Sequence, residues 1–133
     1  MALEKVEFHK TAENFLAAVA NRDFETFQSF LRADLGFQAV LPGGVILDSV
    51  ASFIENQKTW FSGTTGNFKY VIDRTEISVD LGTVHSKVHY SNVDAKGSPF
   101  ELEIYITFVF RKIDGDWFLI HDQNTVMRER REE

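Results

Sequence analysis

Cysteine is absent from this chain of 133 residues. Disulfides, thiolate nucleophiles and cysteine-based zinc or iron–sulfur sites are excluded with it. No run approaches the roughly 18 apolar residues that a membrane span needs, so no membrane association is expected. The opening Met1-Ala2-Leu3-Glu4-Lys5-Val6-Glu7 carries acids where a signal peptide has its apolar stretch, and the expected location is the cytoplasm. A basic stripe with interleaved aromatics is also missing, and a net charge of −6 repels polyanions, so nucleic acid is not an expected partner. No G-x-S-x-G occurs, and Gly63-Thr64-Thr65-Gly66 lacks the lysine and the strand–helix setting of a phosphate loop. Repeats, low-complexity segments and linkers are all missing, which leaves one domain, of a size that can bury a core without staples.

What is present is phenylalanine, thirteen in all. That many point either to a wide aromatic-lined interior or to a phenylalanine-rich core. In the first half, Phe8, Ala12, Phe15, Leu16 and Val19 recur at helical spacing over about 3–20. Asn21-Arg22-Asp23 breaks that helix, and Asp23 is a good N-cap for a second one. The stripe Phe24, Phe27, Phe30 and Leu31 then continues to a stop at Asp34–Gly36. Phe37–Leu41 and Val45–Leu47 read as short strands about the Pro42-Gly43-Gly44 turn. Asp48 or Ser49 caps a third helix with Val50, Phe53, Ile54, Gln57, Trp60 and Phe61 on its inner face.

Four long strands are expected in the second half, over about 67–80, 83–93, 99–112 and 116–126, joined by turns rich in glycine and aspartate. Hairpin follows hairpin, so the sheet is mostly antiparallel. Phe100, Leu102, Ile104, Ile106, Phe108 and Phe110 make one wholly apolar face that the helices must cover. The last strand divides into Phe118, Ile120, Asp122 and Asn124 against Trp117, Leu119, His121 and Gln123. Apolar residues on both faces point to an outer face packed on a second copy of the chain. Residues 127–133 mix charges of both signs and read as a solvated tail.

Three helices, a strand pair before the third, then a long curved sheet: this order over about 5–126 resembles the NTF2-like cone, a cystatin-like roll of class α+β. Phe15–Phe24 is similar to that family's first helix and turn. Asp114–Asn124 is similar to the ending of its SnoaL-like and kinase association-domain branches, with Gln123 and Thr125 where those often carry His and Ser. The resemblance implies a cone-shaped pocket, but the family holds isomerases, hydrolases, cyclases and scaffolds, so it implies no single activity. The ketosteroid-isomerase-like set is not carried over: its tyrosine falls on Phe15, its base on about Ala39 and its second aspartate on Ile106 or Thr107. The Asp–Arg–Asp set of limonene-epoxide-hydrolase-like members finds its residue types in Asp73, Arg74 and Asp122, without convincing spacing.

Asp122 is the candidate catalytic residue, because desolvation on an apolar inner face would raise its pKa into the range of a general acid or base. Asn124, two residues on, is a candidate for holding a ligand's carbonyl or hydroxyl. Tyr90 offers a hydroxyl to a pocket, and Trp60 and Phe37 are candidate cavity walls. Core packing accounts equally for the three aromatics. His85 and His89 flank Lys87, His121 falls with Trp117 and Leu119, and His9 lies on a helix surface. None pairs at zinc-like spacing with a third ligand, so neither metal nor cofactor is expected. The expected function is binding of a small, largely apolar molecule by a homodimer. The alternatives are an isomerase, cyclase or hydrolase using Asp122, and an association scaffold.

Overall fold

The computed structural model of the chain describes residues 2–132. Its elements run α1 (Ala2–Ala20), α2 (Phe24–Gln28), β1 (Gln38–Val40), β2 (Ile46–Leu47), α3 (Val50–Ser62), β3 (Asn67–Ile77), β4 (Leu81–Val93), β5 (Pro99–Ile113) and β6 (Asp116–Arg131). One mixed sheet in the order β2-β1-β6-β5-β4-β3 curves around the helices. Every pairing is antiparallel except β1 on β6, where Ala39 stands beside Asp122. The fold is the expected α+β cone.

α1 buries Phe8, Ala12, Phe15 and Leu16 of the face that its spacing calls for, with Ala18 buried as well and Val19 only partly so. It ends where Arg22 takes a left-handed φ of 56°, uncommon for a residue with a side chain. Asp23 then caps α2 by accepting from the Thr26 N–H at 3.2 Å, and the Thr26 contacts hold its carboxyl below the usual range. α2 is only five residues long, shorter than its aromatic stripe predicts. After Gln28 the chain tightens into i→i+3 turns, and the Phe30 carbonyl accepts from Leu119 N–H of β6 at 2.8 Å. A helix continuing through Phe30 would need that carbonyl for itself. Phe30 and Leu31 still pack against the core. Ser49, rather than Asp48, caps α3, accepting from Ser52 N–H at 3.1 Å.

β5 keeps strict alternation, with Ile104, Ile106, Phe108 and Phe110 buried beneath the helices. β6 does not. Its register against β5 slips between Val109 and Phe110, so Ile120 is an unpaired bulge. Leu119 opposite Phe110 and Asp122 opposite Phe108 therefore point inward together. The expected division of this strand is corrected before the bulge and kept after it. Trp117 and Leu119 belong to the core side, Trp117 lying 4.7 Å from the Phe8 ring. Phe118 turns outward under the Arg32 guanidinium. The interface expected from Trp117, Leu119 and His121 keeps only His121 on the outer face.

The charged C-terminal segment is corrected as well. β6 runs to Arg131, with Arg128 opposite Glu103 and Arg130 opposite Glu101 at 3.8 and 3.7 Å. Cross-strand pairing of opposite charges extends the ladder while these side chains stay exposed.

At the start of β4, Gly82 lies directly under Phe8, and a Cβ there would stand 2.5 Å from the ring. Phe8 is itself held by Phe110 and Trp117. Gly82→Ala is expected to cost about 1–3 kcal/mol by overpacking, and Phe8→Leu in the same chain should recover part of it. Denaturant unfolding of the double-mutant cycle checks this, since two additive losses would mean the contact is not the cause.

Candidate functional site

The helices do not fill the cone. A cavity of about 190 Å³ remains between them and the sheet. α1 contributes Phe15 and Val19, α2 contributes Phe27, and α3 contributes Phe53, Gln57 and Trp60. The sheet side is Phe68, Tyr90, Ile104, Ile106, Phe108, Asp122 and Asn124, with Leu41 and the exposed Pro42 of the β1–β2 turn at the rim. Aromatic rings make up much of the wall because α1, α2 and α3 each present a phenylalanine (Phe15, Phe27 and Phe53) to the apolar face of β5.

Among the described residues, Asp122 is the only charged side chain bordering this cavity. It is 8% exposed, in the centre of the sheet between β1 and β5. Burial among apolar groups penalises its anion and pushes the carboxyl up from 3.8 to about 7, against the lowering effect of one hydrogen bond from Asn124. Asn124 donates through Nδ2 to Asp122 Oδ1 at 2.9 Å and to the Val40 carbonyl at 2.8 Å. It thus fixes the carboxyl's rotamer from the end of β1. A carboxyl that is half protonated near neutral pH can either donate to a ligand oxygen or take a proton from it.

Tyr90 borders the cavity with its ring edge-on to Trp60 at 5.3 Å, and its hydroxyl accepts from Asn92 Nδ2 at 2.6 Å. Trp60 donates its indole N–H to the Val19 carbonyl at 2.9 Å, so it presents its ring to the cavity and not its donor. The structure thus gathers Asp122, Asn124, Tyr90 and Trp60 around one space. Phe37 is not brought to it: the ring is buried behind the wall, 4.7 Å from Phe53.

Sequence reasoning did not assign Phe68, Phe27 or Ile104 to the cavity. Phe15 and Ile106, expected on the apolar faces of the first helix and of β5 and standing where ketosteroid-isomerase-like proteins carry polar groups, both supply apolar wall. Ala39 is fully buried beside Asp122 in the ladder, so the one acid of the cavity comes from β6 and not from β1. Asp73 and Arg74 stay apart from it. Asp73 is exposed and accepts from the Tyr105 hydroxyl at 2.8 Å, and Arg74 pairs with Glu76.

The histidines are dispersed: His9 near Glu13, His85 on Thr107, His89 near Glu101 and His121 on Gln123. No group of three or more metal-ligating side chains occurs among the described residues. No described helix is long and apolar enough to cross a membrane.

Several solved structures share this architecture. A type 2 hexachlorocyclohexane dehydrochlorinase (LinA) superposes with a TM-score of 0.83 at 11% identity, covering 100% of this chain and 94% of that one. A ketosteroid isomerase-like protein from Erwinia carotovora atroseptica gives 0.75 at 18%, covering 90% and 93%. The association domain of C. elegans CaMKII gives 0.68 at 18%, covering 93% and 96%. At such identities the likeness is one of fold. No curated protein matches the chain. The sequence profile of the SnoaL-like domain matches residues 9–129, nearly the whole of the cone, and the chain belongs to the SnoaL-like domain family.

Proposed function

We propose that this chain binds a small, largely apolar molecule in its cone, with Asp122 as the polar anchor. One observation carries the reading: an aromatic-walled cavity of about 190 Å³ holds a single buried carboxyl, oriented by Asn124. A scaffold has no use for a desolvated acid at the centre of its sheet, and an apolar space with few convergent polar groups is the usual form of a ligand site.

A second reading is favoured by the carboxyl's position near pH 7. Asp122 is then a general acid or base, and the protein an isomerase, cyclase, hydrolase or dehydratase acting on the molecule it binds. The fold is shared with a dehydrochlorinase and a ketosteroid isomerase-like protein.

The active form in either reading is a homodimer formed through the outer face of the sheet. That face carries a groove lined by Lys69, Val71, Lys87, Tyr105 and Met127, with Val71 64% and Met127 66% exposed. Lys69 and Lys87 at one side of it and Glu103 at the other supply opposite charges that a two-fold copy of the same face can meet. A kinase association domain shares the fold.

Native mass spectrometry of the purified protein tests these points together. A dimer that releases a small organic molecule on denaturation is the expected result. A bare monomer with no affinity for small ring compounds would sink both the ligand and the dimer. Asp122→Asn separates the readings: it abolishes turnover if the carboxyl moves a proton, and weakens binding only modestly if it is an anchor.

A further inference from the structure

One end of the cavity is held from outside. Arg22, at the left-handed turn after α1, places its guanidinium carbon 4.0 Å from the centre of the Trp60 ring. It is not among the cavity-lining residues, so it covers a part of the indole that the cavity does not use. Its Nη2 donates to the Thr65 carbonyl in the loop from α3 to β3. Its Nε is buried without a hydrogen-bond partner. A guanidinium held with one donor unsatisfied is placed for the stack and the loop rather than for its own solvation.

The same loop is fastened from the other side. Asn92 donates to the Thr65 carbonyl at 3.4 Å and to the Tyr90 hydroxyl at 2.6 Å. Gly66 has a φ of +95°, and a Cβ there would stand 2.7 Å from Asn92 and 3.0 Å from the Tyr90 ring. Trp60 and Tyr90, two aromatic walls at this end, are thus held by one cluster that joins the turn after α1, α3, the loop from α3 to β3, and β4.

The space they leave is small. Ligand pockets for drug-sized molecules run to about 300–1,000 Å³, whereas a cavity of roughly 150 Å³ holds a benzene ring. At about 190 Å³, this one has room for a single ring and a substituent. No cationic side chain among the described residues borders it, so an anionic ligand would be buried beside Asp122 with no counter-charge from them.

We propose that the cavity takes neutral, single-ring ligands bearing one hydroxyl or carbonyl, and that Arg22 is the positioning residue that sets this size limit by holding Trp60 in place. The inference rests on the ligand-binding reading above, but the position of Trp60 can be measured without any ligand. Phenol and 1-naphthol, which share a hydroxyl and differ by one ring, are the probes, with binding followed by calorimetry. The parent is expected to bind phenol more tightly. Arg22→Met keeps the aliphatic stem and removes the stack, and should shift the preference toward 1-naphthol by about tenfold. Asp122→Asn should weaken both probes and leave their ratio unchanged.

With Trp117→Phe as background, Trp60 is the one remaining indole, and Arg22→Met should raise its quenching by acrylamide severalfold. Arg22→Lys, which keeps charge without a planar fork, should behave like Arg22→Met, and serves in the same assays if the methionine variant does not fold. An unchanged ratio in a folded Arg22 variant, or a parent that prefers 1-naphthol, overturns the proposal. If neither probe binds the parent, the ligand reading and the single-ring limit fail together. The quenching of Trp60 then decides whether Arg22 holds the indole.

Discussion

With Asp122 replaced by Asn, the folded chain is expected to lose a dependence of stability on pH that the parent shows between about pH 4 and pH 7. The carboxyl ionises near 3.8 when solvated and near 7 in the fold. Below the first value both states hold the proton. Between the two, the unfolded chain releases it and the folded chain keeps it, so the unfolded state gains and stability falls as pH rises. Above 7 both are ionised and the loss is complete. At about 1.4 kcal/mol for each pH unit, the gap amounts to a loss on the order of 4 kcal/mol. Asparagine cannot titrate, and its Oδ1 can still accept from Asn124. The variant should match the parent near pH 4 and be more stable at pH 8. Asp23, Asp34 and Glu76 are held below their usual values, so their contributions begin to fall at the acid edge of this window, but they do so alike in both chains and cancel in the comparison. Urea unfolding of both chains at pH 4.5, 6 and 8 reads the difference directly. Parallel curves would mean that Asp122 is ionised, and solvated, in the fold.

Asp122 was legible in the sequence by a partly mistaken route. The alternation of β5 is strict, so its inner face could be read residue by residue, and the structure keeps it. Trp117-Phe118-Leu119-Ile120 is a continuous apolar run, and such a run carries no information about phase. A bulge inside it costs nothing in pattern and so leaves no trace. The reading that put Phe118 with Asp122 therefore placed Asp122 correctly and Phe118, Trp117 and Leu119 on the wrong sides. With Trp117 and Leu119 inside, the two-faced apolarity of β6 no longer argues for a partner, and the proposed homodimer rests on the exposed Val71 and Met127 instead.

Other differences have the same origin, in bonds between distant segments that local pattern does not record. α2 stops early because β6 takes the Phe30 carbonyl. Arg128 and Arg130 join the sheet because Glu101 and Glu103 face them across β5. Arg22 looked like an ordinary turn residue beside Asp23, and only the return of α3 brings Trp60 beneath it. Trp60 and Phe37 were indistinguishable as aromatic wall candidates. What separates them is depth: Trp60 sits on the helix face nearest β3 and β4, and Phe37 lies one layer behind Phe53.

Phe15 joins these layers, and Phe15→Ala is expected to be the most damaging single truncation in the helical half. The ring is 1% exposed and lies within 5.1 to 5.8 Å of Phe27, Phe30, Phe108 and Phe110, tying α1 to the α2 turn and to β5. Removing a buried phenylalanine costs about 3–5 kcal/mol, a large part of the 5–15 kcal/mol typical of a domain. Unfolding is best measured near pH 5, where Asp122 is protonated in the fold and much of the stability lost toward pH 7 is still present. The void would open into the existing cavity, because Phe15 is part of its wall. Phe37→Ala supplies the control. It too removes a buried ring, but one that does not border the cavity, so it should lower stability without admitting a larger probe. Phe15→Ala should do both, binding 1-naphthol where the parent favours phenol. If the two variants lose stability alike and neither changes the preferred probe, the Phe15 wall does not face ligand, and the space beneath α1 is packing and not a site.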